Sequence, residues 1–401
     1  MKIDQLTVKN FKGLENKEFN FSPQFNVLNG DNGSGKTAVL DALAVGIGAL
    51  FLGFDGISSR NIQPYEIRSM GYQIGEQFKL EPQPPTIVHC SGEVFGSLMS
   101  WERDLSGINR GTTRKNSKTI IAKAKVLQEK VRSGDESLIL PVLSYYGTGR
   151  LFLQKPKRTK IIKSKSRLAE YEGCLEPASD EKQFLQWIKL MELTALQEKR
   201  TLRTLEGLKQ AVKECLEGCK SIFFNFQRDE LITILDDGQI FPAHMLSDGQ
   251  RIILAMVADI AYKAASLNPQ LEDKAASETP GVVLIDEIDL HLHPNWQRKI
   301  VGDLKRTFPK IQFIVTTHSP FIIQSLRDGE LINLNESEPA EYEDKNIEDI
   351  AEHNMGVEIP QRSQRYLDMM EAAKEYYRID TCQQCFDSNG KPILRNKPIN
   401  L

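Results

Sequence analysis

The chain has 401 residues, enough for one large core or two ordinary domains. Its 26% charged and 40% hydrophobic residues are those of a globular protein, six cysteines are too few for a disulfide scaffold, and a net charge of −3 excludes a uniformly cationic nucleic-acid binder. No apolar run reaches the roughly 18 residues of a membrane span, and the start MKIDQLTVKNF lacks a signal-peptide core, so a cytoplasmic location and no membrane partner are expected.

In chain order, residues 2–9 alternate as a strand, with Ile3, Leu6 and Val8 apolar. A second strand, Phe25 to Leu28, leads into Gly30-Asp31-Asn32-Gly33-Ser34-Gly35-Lys36-Thr37, and Ala38 to Ala49 reads as a buried helix. Strand, glycine loop and helix form the setting a P-loop requires. Glycines let the backbone N–H groups curl inward onto phosphate, and the helix N-terminus adds a favourable field. Lys36 is placed to reach the β- and γ-phosphates of ATP, and the Thr37 hydroxyl to ligate Mg²⁺. The apolar stretch Ala42 to Phe54 reads as a core helix and the turn after it.

The middle of the chain carries uneven charge. The stretch from Arg103 to Arg132 is basic, and Arg150 to Arg167 holds eight basic residues and no acidic one. Such runs are either solvated loops or a surface facing nucleic acid, DNA or RNA. Asp180 to Lys220 carries a helical stripe of Phe184, Ile188, Met191, Ala195, Leu202, Leu205, Val212 and Leu216, read as one or two short helices rather than a long coiled-coil arm. Cys215 and Cys219, four apart, are expected on one helix face. Ser221 to Ile234 reads as strand, and Asp236-Asp237-Gly238 as a turn before Ile240 and Phe241.

Leu246-Ser247-Asp248-Gly249-Gln250 precedes an apolar helix from Ile252 to Ala265, so Ser247 or Gly249 opens an anion-favouring helix start. Val282 to Ile285 is an apolar strand delivering Asp286 and Glu287 at its C-terminal end, where α/β sheets hold ligands. Asp286 suits the Mg²⁺ shell, and Glu287 suits a general base for the attacking water. The next strand, Ile311 to Thr316, ends in Thr317-His318-Ser319-Pro320. There His318 is read as a sensor of the γ-phosphate or a support for the catalytic water, and Ser319 as a helix cap. Beyond 335 lie an acidic stretch (336–352), a helix over 361–377 and the pair Cys382 and Cys385, which has no second pair to complete a zinc site.

Taken together, MKIDQLTVKNFKGL, GDNGSGKT, LSDGQR, VVLIDEIDLHLHP and TTHSP resemble the RecF/SMC/OLD-type branch of ABC ATPases, most closely the small ATPases of bacterial Septu and retron defence systems. The resemblance covers residues 1–60 and 240–335, and Tyr145-Tyr146-Gly147-Thr148-Gly149-Arg150 also looks like a segment of this group. It implies an α/β, P-loop ABC-type head with a mixed sheet and an inserted, mainly helical, partly basic lid. It further implies four segments: an ATPase lobe over 1–60, an insert over 61–224, a second lobe over 225–335 and an appendage over 336–401. By the same resemblance Asn29, Gly30, Asn32, Gly33, Ser34, Gly35, Lys36, Thr37 and Ala38 cradle ATP. Ser247, Gly249 and Gln250 form a signature that meets the γ-phosphate of a second subunit, and Asp289 to His293 crosses the same interface. LSDGQ stands where LSGGQ is usual, and Gln63 and Gln227 are the two candidates for the family's Q-loop glutamine.

Three functions follow from this resemblance. The first is an ATP-hydrolysing regulator of an antiviral complex, a homodimer or higher oligomer with a separate HNH-type nuclease subunit. The others are a RecF-like DNA-repair ATPase and an ATP-bound scaffold with little hydrolysis. The sequence shows no HNH-like or Toprim-like set after the ATPase motifs, which favours the first.

Overall fold

The computed structural model describes residues 1–149, 166–177 and 181–335. The strands are β1 (Lys2–Phe11), β2 (Leu14–Asn20), β3 (Phe25–Asn29), β4 (Ser69–Ile74), β5 (Gln77–Pro82), β6 (Thr86–Val94), β7 (Ser97–Leu105), β8 (Val142–Tyr146), β9 (Cys219–Asn225), β10 (Glu230–Leu235), β11 (Ile240–Pro242), β12 (Gly281–Ile285), β13 (Ile311–Thr316) and β14 (Leu331–Asn333). The helices are α1 (Lys36–Gly48), α2 (Lys118–Arg132), α3 (Glu181–Glu198), α4 (Arg203–Cys215), α5 (Asp248–Leu267), α6 (Ala275–Glu278), α7 (Pro294–Thr307) and α8 (Pro320–Ile323).

A parallel five-stranded sheet, ordered β14-β3-β13-β12-β8, holds the centre. Its strands β3, β8, β12 and β13 are buried at every position, which is why they read as continuous apolar runs rather than alternating ones. An antiparallel sheet, β2-β1-β6-β7, packs beside it. Gln312 in β13 clasps the two: its side-chain amide donates to Ile3 O (2.8 Å) and Ser22 O (2.9 Å) and its carbonyl accepts from Ile3 N (2.8 Å). The fold class is therefore α/β, with parallel and antiparallel directions divided between sheets.

α1 is apolar around its whole circumference and buried along nearly its whole length, as a helix between two sheets must be. With the 3-10 turn that follows it (Leu50–Gly53), it is the one described stretch long and apolar enough to cross a membrane, but 89% of it is buried inside the protein.

The segment 61–224 holds helices α2, α3 and α4, yet it also supplies strands to both main sheets. β6 pairs with β1, and β8 pairs with β12. This part of the insert is core, because Val88, Cys90, Val142 and Leu143 are apolar and buried. The stretch 180–220 divides into α3 and α4. Cys215 ends α4 whereas Cys219 begins β9, so the two do not share a helix face as expected; the chain turns at Gly218, with φ +78°. The acidic stretch, the helix over 361–377, Cys382 and Cys385, and the basic run up to residue 165 lie outside the described residues.

Candidate nucleotide site

β3 ends at Asn29, and the loop from Gly30 to Gly35 turns into α1. Gly33 (φ +86°) and Gly35 (φ +100°) sit in the left-handed region that disfavours side chains. A Cβ at Gly35 would also stand 2.9 Å from the end of the Leu14 side chain, which would have to move. Gly35 is the N-cap of α1 and provides no capping side chain, so none is spent on the first turn of this helix. The Lys36 ammonium donates to the Gly30 (2.6 Å) and Asp31 (2.9 Å) carbonyls. Burial holds its pKa below the ordinary lysine value, against the pull of Asp31, Asp286, Glu287 and Asp289, so all four carboxylates lie within its field. Ser34 Oγ is buried and has no hydrogen-bond partner among the described residues. An orphaned hydroxyl beside a lysine held only by carbonyls fits a phosphate-binding loop.

The strand order brings β12 and β13 beside β3. The Thr37 hydroxyl donates to Asp286 (3.0 and 3.2 Å), and the Thr316 hydroxyl donates to the same carboxylate (2.7 Å) while accepting from Glu287 N (2.7 Å). The Thr37 and Asp286 oxygens are the hard donor set that Mg²⁺ prefers. Glu287 takes φ +49°, uncommon for a residue other than glycine, and turns the chain sharply off the strand. Asp289 accepts from the Thr317 hydroxyl (2.6 Å) and from His318 N (3.4 Å), tying the loop after β12 to the histidine. His318 is half-buried, and Ser319 caps α8 by accepting from Phe321 N and Ile322 N.

Sequence reasoning missed Thr316, which binds both acidic residues of the site. It also missed a charged cluster on the flank of α1. Lys12 and Arg60 each reach Asp41 and the fully buried Glu66, and the Tyr145 hydroxyl meets Asp41. Burial and the carboxylates of Asp41 and Asp286 push the Tyr145 hydroxyl well above its ordinary pKa. The four charges come from the β1–β2 turn, α1 and the segment 60–66, on either side of the P-loop, so no single local spacing announces the cluster. Gln63 opens the 3-10 turn ending at Glu66, next to this cluster, whereas Gln227 sits in the tight turn between β9 and β10.

The signature residues lie elsewhere. Ser247 is the N-cap of α5 and closes a capping box with Gln250: Ser247 Oγ accepts from Gln250 N (3.4 Å), and Ser247 N donates to Gln250 Oε1 (3.1 Å). Ser247, Gly249 and Gln250 line a cavity of about 910 Å³ together with His291, His293 and Trp296. Gly249 has to be glycine here, because a Cβ would stand 2.7 Å from His291 O. No P-loop residue lines this cavity. A buried contact holds α5 to the sheet beside Asp286: Asp259 accepts from the Tyr146 hydroxyl of β8 (2.6 Å), and within α5 it pairs with Lys263 (2.7 Å).

A glycine loop at the end of a parallel strand, with a carboxylate pair ending the strand two places along the sheet, defines a nucleotide-binding P-loop protein. The chain belongs to the AAA-domain family, whose model matches residues 5–220; a second model, described as AAA domain, putative AbiEii toxin, Type IV TA system, matches residues 197–324. It is similar to the retron Vc95 probable ATPase of Vibrio cholerae serotype O1 biovar El Tor, at 24% identity over 84% of this chain and 74% of that protein. It is also similar to the Septu protein PtuA of Bacillus mycoides strain KBAB4, at 27% identity over 84% of this chain and 41% of that one. Among solved structures, the SMC head domain from Thermotoga maritima overlaps with a TM-score of 0.45 at 14% identity, covering 81% of this chain and 92% of that one. The chain is thus an AAA-domain protein with a P-loop, similar to the retron and Septu ATPases.

Proposed function

We propose that the chain binds and hydrolyses ATP as the regulatory subunit of a bacterial antiviral defence complex. Two or more copies close on ATP, and their state controls a separate HNH-type nuclease subunit. The observation that carries the gate is the separation of the half-sites. The P-loop, Asp286 and Glu287 gather at one place, while the signature opens into a different cavity that no P-loop residue lines. A second copy would bring its signature to the first copy's nucleotide.

In this reading the loop N–H groups, Ser34 Oγ and Lys36 bind the triphosphate, so Lys36 leaves the Gly30 and Asp31 carbonyls for phosphate oxygens. Thr37 and Asp286 would hold Mg²⁺, which would supply neutralisation of phosphate charge. Glu287 takes the proton of the attacking water, and His318 steadies the γ-phosphate end of the site. Thr316 fixes the Asp286 carboxylate and the Glu287 backbone, while Asp289 fixes the loop before His318. The divided site and the kinship to retron and Septu ATPases support this reading.

The test is mass in solution. Glu287→Gln protein with ATP and Mg²⁺ is expected to shift from monomer to dimer or higher oligomer by light scattering, and a further Ser247→Arg change should prevent the shift. An oligomeric state blind to both ATP and Ser247 would remove the gate and leave a plain ATP-binding fold.

A further inference from the structure

The last two residues of β8 are tyrosines, and successive side chains of a strand face opposite ways. Tyr145 faces α1, where its hydroxyl meets Asp41, within two turns of Lys36. Tyr146 faces α5, where its hydroxyl donates to Asp259 (2.6 Å), about three turns along the helix that Ser247 opens. Both tyrosines are buried. One strand end therefore touches the helix of each half-site, one helix per face.

The same strand end also holds the strand that delivers the carboxylate pair. β8 runs parallel to β12 with Tyr146 opposite Ile285, and the Asp286 N–H donates to Tyr146 O (2.8 Å). Tyr146 thus bonds through its main chain to Asp286 and through its side chain to the signature helix.

The link to α5 is stiff. Asp259 also pairs with Lys263 (2.7 Å), and Lys263 donates to the Ser144 hydroxyl (3.0 Å) on the same face of β8. Two points of attachment, Ser144 and Tyr146, keep the helix from swivelling about a single bond. Burial, and then the Asp259 carboxylate, pushes the Tyr146 hydroxyl well above its ordinary pKa, so it remains a proton donor. The outer edge of β8 is fixed as well: Tyr145 N donates to Cys174 O (2.9 Å) and Gly147 N to Pro177 O (3.0 Å). A strand tied on both faces and both edges moves with its neighbours or not at all.

We propose that Tyr145 and Tyr146 are positioning residues that couple the two ATP sites of a closed pair of copies, a proposal that rests on the gate described above. In that gate α5 of one copy answers to the nucleotide of the other, while Asp286 and Glu287 serve the copy's own. A shift of α5 on meeting the other copy's nucleotide passes through Asp259 to Tyr146 and so to Asp286, and through Tyr145 to α1. Each ATP then favours the hydrolytic arrangement at the other site. A buried tyrosine that only satisfies its own hydroxyl has no such reach. Tyr171, whose hydroxyl donates to Pro141 O (2.9 Å), is the matched example.

The experiment measures turnover of the full chain against ATP concentration, with light scattering in the Glu287→Gln background as the second readout. The parent is expected to give a Hill coefficient of about 1.3 to 2, two being the ceiling for a pair of coupled sites. Tyr146→Phe removes only a hydroxyl. Its coefficient should fall to about 1 and its kcat by about tenfold, the scale of one hydrogen bond to a charged group, while ATP-dependent association persists. Tyr145→Phe should also lower the coefficient, and it keeps the test open if melting curves show that Tyr146→Phe fails to fold. The double variant should be no less cooperative than Tyr146→Phe alone, because both hydroxyls lie on one route. Tyr171→Phe, which loses a buried hydroxyl off that route, should keep the parent coefficient. A parent coefficient of 1 with association intact overturns the coupling, and so does a Tyr146→Phe protein that behaves like Tyr171→Phe or that no longer associates. A parent that does not associate with ATP fails the gate itself, an outcome distinct from each of these, and the coupling falls with it.

Discussion

Two helices in this molecule begin at the proposed nucleotide-binding motifs, and they begin differently. α1 begins at Gly35, which carries no side chain to cap it, in a loop with an orphaned Ser34 hydroxyl and a lysine resting on two carbonyls. α5 begins at Ser247, whose hydroxyl and backbone are already closed in a box with Gln250. The first is an incomplete site that needs a ligand; the second is satisfied alone. A helix end that caps itself can wait in solvent and exchange its internal bond for phosphate only when another copy brings one. The proposed function gives ATP capture to the P-loop half and gating to the signature half, and this difference is in keeping with that division.

The largest effect that would break this assignment falls on chemistry. Glu287→Gln keeps the shape and removes the base, so ATP turnover should fall by roughly 10²–10⁴-fold with ATP affinity intact. A phosphate-release assay that finds turnover within threefold of the parent would place the base elsewhere. Next is Lys36→Ala, which deletes the charged donor of the P-loop half. Affinity for ATP should drop by about a hundredfold, the scale of one or two hydrogen bonds to a charged group. Calorimetry showing the parent affinity would remove the P-loop from the site. Thr316→Val comes third. It leaves the Asp286 carboxylate and the Glu287 N–H each short of a partner in a buried place, a loss of about 1–3 kcal/mol. Turnover should fall by roughly tenfold or more, and Thr316→Ser should restore it.

The same contrast explains what was legible in the sequence. The P-loop and the carboxylate pair could be read because the chain is contiguous there, and strand, loop and helix follow in order. The buried strands β3, β12 and β13 announced themselves as short apolar runs between turn signals. The cap at Ser247 was legible as a helix start, although its partner in the box was not distinguished from its neighbours. Whatever depends on strands meeting from far along the chain was not legible. Thr316 is one threonine among many until β12 and β13 pair. Lys12, Asp41, Arg60, Glu66 and Tyr145 gain their meaning only when the β1–β2 turn, α1, the loop after it and β8 converge. The insert misled for the same reason. β6 and β7 lie within the segment expected to be mainly helical, yet they pair with β1 and with each other. The CxxxC spacing of Cys215 and Cys219 suggested one helix, but a glycine turn ends that helix and starts a strand.

The smallest predicted change is the most informative about the signature half. Ser247 caps its own helix, and the proposed gate adds a second, separable role as a phosphate donor toward another copy. Replacing an N-cap serine by alanine costs about 1 kcal/mol, whereas glycine costs only a few tenths, because glycine leaves the helix start accessible to water. Ser247→Gly should therefore shift the melting temperature little, and clearly less than Ser247→Ala. If the hydroxyl serves only its own helix, ATP-dependent association should follow the same order, with glycine close to the parent and alanine weaker. If it serves the nucleotide of a second copy, both variants should lose ATP-dependent association to a similar degree despite their different stabilities. The comparison needs melting curves without nucleotide and light scattering with ATP in the Glu287→Gln background. Association that tracks stability would leave Ser247 as a cap, and association lost equally in both would make it a contact between copies.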